Sequence, residues 1–131
     1  MARILFVLFV IFTSCKTHVT HEILHETYRV ETLQGNKLQD FEFTLSFNKK
    51  ENSVFGKAGC NRYFGSFKQT KTQINFSQMA STEMYCNNDT LMQFESQFLK
   101  TLSKIIKVEV HTSTMLLKEN DVILITLRAQ E

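Results

Sequence analysis

The stretch Phe41-Glu42-Phe43-Thr44-Leu45-Ser46-Phe47 sets four apolar side chains at alternate positions with three polar ones between them. Successive side chains of a strand point to opposite faces, so this period of two demands a sheet with one buried face and one face in water. The polar run over residues 48–52 closes the strand as a turn. The same pattern recurs along the chain. Tyr28, Val30 and Thr32 alternate with Arg29, Glu31 and Leu33 before a turn at Gly35-Asn36, and Val54-Phe55 begins a short strand. Residues 63–67 and 72–76 read as a hairpin around 69–71, and residues 108–111, 115–118 and 122–128 as later strands, the last two joined through Glu119-Asn120-Asp121. One segment has the helical period instead: Leu91, Phe94, Phe98, Leu102, Ile105 and Ile106 recur at spacings of three and four. They predict a helix over about 90–107, with Gln93, Glu95, Gln97, Lys100 and Lys104 on its other faces. Thr90 and Gln93 suit a capping box, with Asn88 and Asp89 as alternative caps. Seven or eight short strands and one helix describe a single α+β domain, but the pattern does not contain the order of strands in the sheet.

The chain opens differently. After the positive charge of Arg3, residues 4–12 form an unbroken apolar run, too short to span a bilayer as a helix and suited to a secretory signal. Thr13 and Ser14, small residues placed directly before Cys15, make this end resemble a bacterial lipobox, with Phe12 where Leu is commoner. The organisation expected is a lipoprotein signal peptide over 1–14, a lipid-anchored tether over 15–26 from acylated Cys15, and a domain over 27–131. Acyl chains on Cys15 would bury enough methylene groups for stable anchoring, which makes the membrane the expected partner. The expected location is the bacterial cell envelope, on the periplasmic or surface face of the outer membrane. The 131 residues, 43% hydrophobic with a net charge of +2, allow one core. Basic residues are dispersed among acids, which argues against a nucleic-acid partner.

Three cysteines are an awkward number for an exported protein; with Cys15 acylated, Cys60 and Cys86 remain as a pair in an oxidising compartment. A disulfide between them is the leading reading, and two buried reduced thiols the alternative.

His21-Glu22-Ile23-Leu24-His25 matches the H-E-x-x-H signature of zinc peptidases. That chemistry needs both histidines on one face of a buried helix, a third protein ligand and a glutamate facing a cleft. This segment has no apolar stripe to bury a helix, and Tyr28, Arg29 and Val30 stand where a metzincin extension needs Gly and His. Peptidase activity is therefore the least favoured function. His18, His21 and His25, spaced by three and four, leave only a loose metal site or pH-responsive tether as an alternative to plain solvation. No cofactor is called for.

Three of the four glycines fall within ten residues, at Gly56, Gly59 and Gly65, which marks unusual backbone conformation or close approach. The surrounding stretch, with Gly56, Ala58, Gly59, Cys60, Asn61, Gly65 and Phe67 in register, resembles the G-x-A-G-C-N-x-x-x-G-x-[YF] block of the META domain, or HslJ-like, family. Ser81, Thr82, Met84 and Cys86 match its later S-T-x-M-x-C stretch, and Glu95, Phe98 and Leu102 its helical pattern. The resemblance covers about residues 28–127; Tyr28 stands where the family usually has a Trp. It implies a compact α+β fold, with a curved antiparallel sheet and one packed helix. It also implies an envelope protein without assigned chemistry, some members being linked to heat or antibiotic stress. The function expected is a non-catalytic envelope lipoprotein serving stability or stress; the alternative is a hydrolase-inhibiting or small-ligand-binding lipoprotein. Asn61 is expected to hold a turn by bonding to neighbouring amides. Cys60 as a nucleophile would need a base, and His111 has no evident link to it. Most of the 12 phenylalanines fall at strand or helix core positions and are read as packing, not as a ligand box.

Overall fold

The computed structural model describes residues 22–130. Ten strands and one helix follow one another: β1 Thr27–Leu33, β2 Asn36–Lys37, β3 Thr44–Asn48, β4 Ser53–Ala58, β5 Asn61–Thr70, β6 Gln73–Phe76, β7 Ala80–Ser81, α1 Asp89–Leu102, β8 Lys107–Val110, β9 Thr114–Glu119 and β10 Val122–Ala129. All pairings between them are antiparallel.

The expected curved open sheet is corrected here: the sheet closes. From β1 the order runs through β3, β4, β5, β6, β8 and β9 to β10, and β10 pairs back onto β1, with Tyr28 opposite Ala129 and Leu33 opposite Ile125. The protein is thus mostly β, an eight-strand barrel, with β2 and β7 as short additions on β1 and β5. One irregularity lies in the closing seam, between Val30 and Thr32, and a second in the adjoining β9–β10 pairing, between Ile123 and Ile125. An extra residue in one strand bends it and increases its twist, which is the curvature closure requires. Alternation reports which side chains face inward, not which strands are neighbours, so closure was invisible in the sequence.

Eight strands leave an interior that side chains just fill. Tyr28, Val30, Leu45, Phe47, Val54, Tyr63, Phe67, Ile74, Val108, Met115, Leu117, Ile125 and Leu127 occupy it, all buried. Their rings meet mostly edge to face, as with Phe47 and Phe67 at 5.2 Å between centroids. Helix α1 lies over the end of the barrel marked by Phe43, Ala58 and the turn at Gln34. Phe98 packs edge-on against Phe43 and Tyr63, each at 5.5 Å, and Gln34 reaches Thr101 and Gln97.

Asn88 caps α1, its side-chain oxygen accepting from the Leu91 N–H at 3.0 Å, so the alternative cap is the one used. The helix ends at Leu102, not near 107. Lys104 and Ile105 donate back three residues, to Thr101 and Leu102, and the Ile106 N–H donates to Lys118 in the sheet. Ile105 is buried; its apolar spacing continued the helical pattern while serving the connection into β8. The first hairpin turn is Gln34-Gly35, both at positive φ, with Asn36 already opening β2.

Candidate functional site

The Gly-Cys-Asn segment, expected as a loop, is the tip of the β4 to β5 hairpin. Ala58 pairs with Asn61, so Gly59-Cys60 is the whole turn, and Gly59 takes the positive φ of 66° that the first central position of such a turn favours. Gly59 lies under the helix: a Cβ there would sit 2.6 Å from Leu91 Cδ1. Gly56 is tighter still, since a Cβ would meet the Thr44 carbonyl oxygen at 2.1 Å. The Tyr63 hydroxyl donates to that same oxygen at 2.6 Å, and burial pushes the Tyr63 phenol well above its ordinary range.

Asn61 is only 3% exposed. Its Oδ1 accepts from the Thr82 hydroxyl and the Met84 N–H, both at 2.7 Å. Its Nδ2 donates to the Met84 carbonyl at 3.1 Å and to both carboxylate oxygens of Glu95, at 2.8 and 3.0 Å. An amide side chain has two N–H donors and two acceptor lone pairs, so its capacity is filled from within the protein. Asn61 does not bond to neighbouring amides as expected; it reaches the segment before α1 and the helix itself. The Thr82 N–H donates to the Arg62 carbonyl, and the Thr82 hydroxyl oxygen accepts from the Arg62 N–H. Cys60 and Cys86 are joined by a disulfide, with Cα atoms 6.4 Å apart. The hairpin tip, the strip over residues 82–86 and α1 are therefore tied by one amide, one carboxylate and one covalent bond.

Periodicity puts Glu95 on the other faces of the helix, away from its apolar stripe. The signal that could have found it was the helical pattern of the resemblance, in which it shares a place with Phe98 and Leu102.

The H-E-x-x-H match resolves differently. His18, His21 and Cys15 lie outside the described residues. Residues 22–26 form no helix. Ile23 is buried in the barrel core, within the stretch read as tether. His25 packs edge-on against Tyr28, and its Nε2 lies 2.8 Å from the Thr112 carbonyl. A carbonyl only accepts, so that contact places a proton on Nε2. Glu42 is ion-paired with Lys57, and that hydrogen bond and charge hold its carboxyl below the usual range. Among the described residues no three His, Cys, Asp or Glu side chains are grouped as metal ligands.

A groove of about 580 Å³ runs along the outer face of β1 and β10 past Arg29, Glu31, Lys37 and Arg128. Arg128 is forked onto Glu31 there, and Arg29 donates to the Gln39 carbonyl.

The family model of the META domain matches residues 21–131. The chain belongs to the META-domain family. Its motif residues form the hairpin tip, its pinned strip and the helix contact just described. No curated protein matches the chain. Among solved structures, this META domain is similar to an NMR structure of a protein from Burkholderia xenovorans, with a TM-score of 0.66 at 21% identity over 82% of this chain and 83% of that one. A second NMR structure gives a TM-score of 0.62, also at 21% identity, over 79% of this chain and 88% of the other. At that identity the likeness establishes the fold alone.

Proposed function

We propose that this META domain belongs to a non-catalytic lipoprotein of the bacterial envelope, acylated at Cys15, whose motif residues build a rigid barrel instead of a reactive centre. The observation that carries the reading is Asn61: every hydrogen-bonding position of the most polar motif side chain is occupied by the protein itself. Cys60, in a disulfide, has no thiolate to offer as a nucleophile. The apolar run over residues 4–12 and the small residues before Cys15 support export and acylation. A bonded pair of cysteines suits an oxidising compartment. The family resemblance, with some members linked to heat or antibiotic stress, supports service under envelope stress.

Intact mass measurement on protein from native membranes, before and after reduction, tests the reading. The expected species starts at Cys15, carries acyl chains and gains two hydrogens on reduction. An unmodified Cys15 refutes the lipoprotein assignment. A deletion strain that tolerates heat and envelope-active antibiotics as well as its parent refutes the stress role.

A further inference from the structure

Outward positions of the barrel wall are mostly polar, and β4 and β5 break that rule at one place. Phe55 and Phe64 are direct partners across the two strands, and they are 50% and 64% exposed. Their neighbours on the same face are Ser53, Lys57, Arg62 and Ser66. On its other side Phe64 is opposite Ala80 of β7, whose methyl covers little of the ring. The pinned strip beyond β7 also leaves Met84 and the 75% exposed Tyr85 open to solvent. Most phenylalanines are expected to serve as packing; Phe55 and Phe64 are two that do not, and they adjoin.

Phe55 is a ridge between two grooves. One, about 430 Å³, is bordered by Glu42, Thr44, Lys57, Arg62 and Phe64; the other, about 420 Å³, by Glu26, Thr27, Ser46, Lys49 and Lys50. Lys57 and Lys49 are paired with Glu42 and Glu22. Lys50 and Arg62 have no ion pair among the described residues. An aromatic ridge rimmed by long basic side chains suits the headgroup region of a bilayer: rings sit at the apolar boundary while ammonium and guanidinium groups reach back to phosphates.

The course of the chain indicates what lies against this face. The Lys49 ammonium donates to the Ile23 carbonyl at 2.8 Å, and the Phe47 N–H to the Glu26 carbonyl at 2.8 Å. The first described residues thus lie along the border of the second groove, beside Phe55. Cys15 precedes Glu22 by seven residues, which span at most about 25 Å when fully extended. A lipid on Cys15 is thus tethered from this border of the barrel, beside Phe55.

We propose that the outer face of β4 and β5, centred on Phe55 and Phe64, docks into the headgroup region of the bilayer that holds the Cys15 lipid. The proposal rests on the lipoprotein reading and adds the orientation of the domain. Docking restricts the domain to one pose on the membrane, with β9 and β10, diametrically opposite in the strand order, turned outward. Because the rings stand on paired strands and the adjoining strip is pinned by Asn61 and the disulfide, little conformational freedom is lost on contact.

The chain has no tryptophan, so a single indole reports its surroundings without background. Phe55→Trp, Phe64→Trp and, as control, Ile123→Trp on the opposite wall, where Ile123 is 45% exposed, are made in the full chain. Each is purified with its lipid and reconstituted into phosphatidylethanolamine and phosphatidylglycerol vesicles with brominated acyl chains. Fluorescence at positions 55 and 64 is expected to fall by about half relative to unbrominated vesicles, as for an indole seated at the membrane interface, and at position 123 to stay unchanged. Equal emission with and without bromine at 55 and 64, in protein whose mass confirms acylated Cys15, overturns the docking and leaves the lipoprotein reading intact. Equal quenching at all three positions overturns it too, by removing the orientation. A concentration-dependent blue shift at 55 and 64 without quenching would identify a second copy as the occupant and also overturn it. An unacylated Cys15 removes both readings together.

Discussion

Replacing Asn61 with alanine tests the central feature of the site. The substitution removes the amide that accepts from Thr82 and Met84 and donates to Met84 and Glu95. A buried group left without its partner costs about 1–3 kcal/mol, and a hydrogen bond to a charged acceptor contributes about 1.5–3 kcal/mol. Met84 and Thr82 are exposed residues, so water can reach part of what is orphaned, which moves the sum toward the low end. The expected loss is therefore about 3 kcal/mol, and with about 4–8 °C per kcal/mol for a domain of this size the melting temperature should fall by roughly 10–20 °C. Urea unfolding with the disulfide intact measures the first quantity, and amide exchange locates it: protection should vanish first at Met84, while β9 and β10 keep theirs. A loss below about 1 kcal/mol with Met84 still protected would refute the claim that Asn61 pins the strip. Asn61→Asp separates geometry from charge. It keeps both acceptors but sets a carboxylate against Glu95, which raises the pKa of the pair in the folded state. Stability relative to the parent should then be best below the ordinary carboxyl range and decline as pH rises through the raised folded value.

The bridge between Cys60 and Cys86 closes a separation of 26 residues, for which the chain-entropy relation gives about 3–4 kcal/mol; the double Cys60→Ser, Cys86→Ser variant should show that loss in urea, and an unchanged midpoint would refute it. Gly59→Ala combines a positive φ with a clash at Leu91, so about 2 kcal/mol should be lost; adding Leu91→Ala should relieve the clash and leave the backbone cost of about 1 kcal/mol, which a double-mutant cycle reads directly. Lys57 holds the Glu42 carboxyl below its usual range, so the pair's contribution is present above the ordinary carboxyl pKa and is lost as pH falls through the lowered folded value. Lys57→Met should move the Glu42 titration midpoint upward in a carboxyl-resolved NMR titration, and an unmoved midpoint would show that Lys57 is not the cause.

What was legible beforehand follows from what periodicity encodes. The alternation at residues 41–47 correctly placed Phe43, Leu45 and Phe47 inside, because a side chain's face depends on local backbone geometry. The strand itself begins later, at Thr44, after a single bridge from Phe43 to Ala58. The helix was found from its spacing and overextended at its end, since Ile105 satisfies the same spacing while lying in a turn. For the site, the motif residues are recognisable as a group, Thr82, Met84 and Glu95 among them, but not which of them bond to Asn61. Thr82, Met84 and Glu95 lie 21 to 34 residues from Asn61, and no local rule connects positions so far apart. The outward pair Phe55 and Phe64 is hidden for the same reason: their strands' inward positions are Val54, Gly56, Tyr63 and Gly65, and only the register shows that both rings point out together.

By itself the sequence determined the strand-rich composition, the inward residues of most strands, the amphipathic helix, the glycines that must tolerate close approach and the family. Each of these depends on a residue's own conformational range or on neighbours within a few positions. Tertiary structure decided the rest: closure of the sheet through β1 and β10, the burial of Ile23 ahead of the first strand, the Asn61 hub and the outward aromatic pair. These depend on which distant segments meet, and that is settled only when the whole interior must be filled at once and every buried polar group must find a partner.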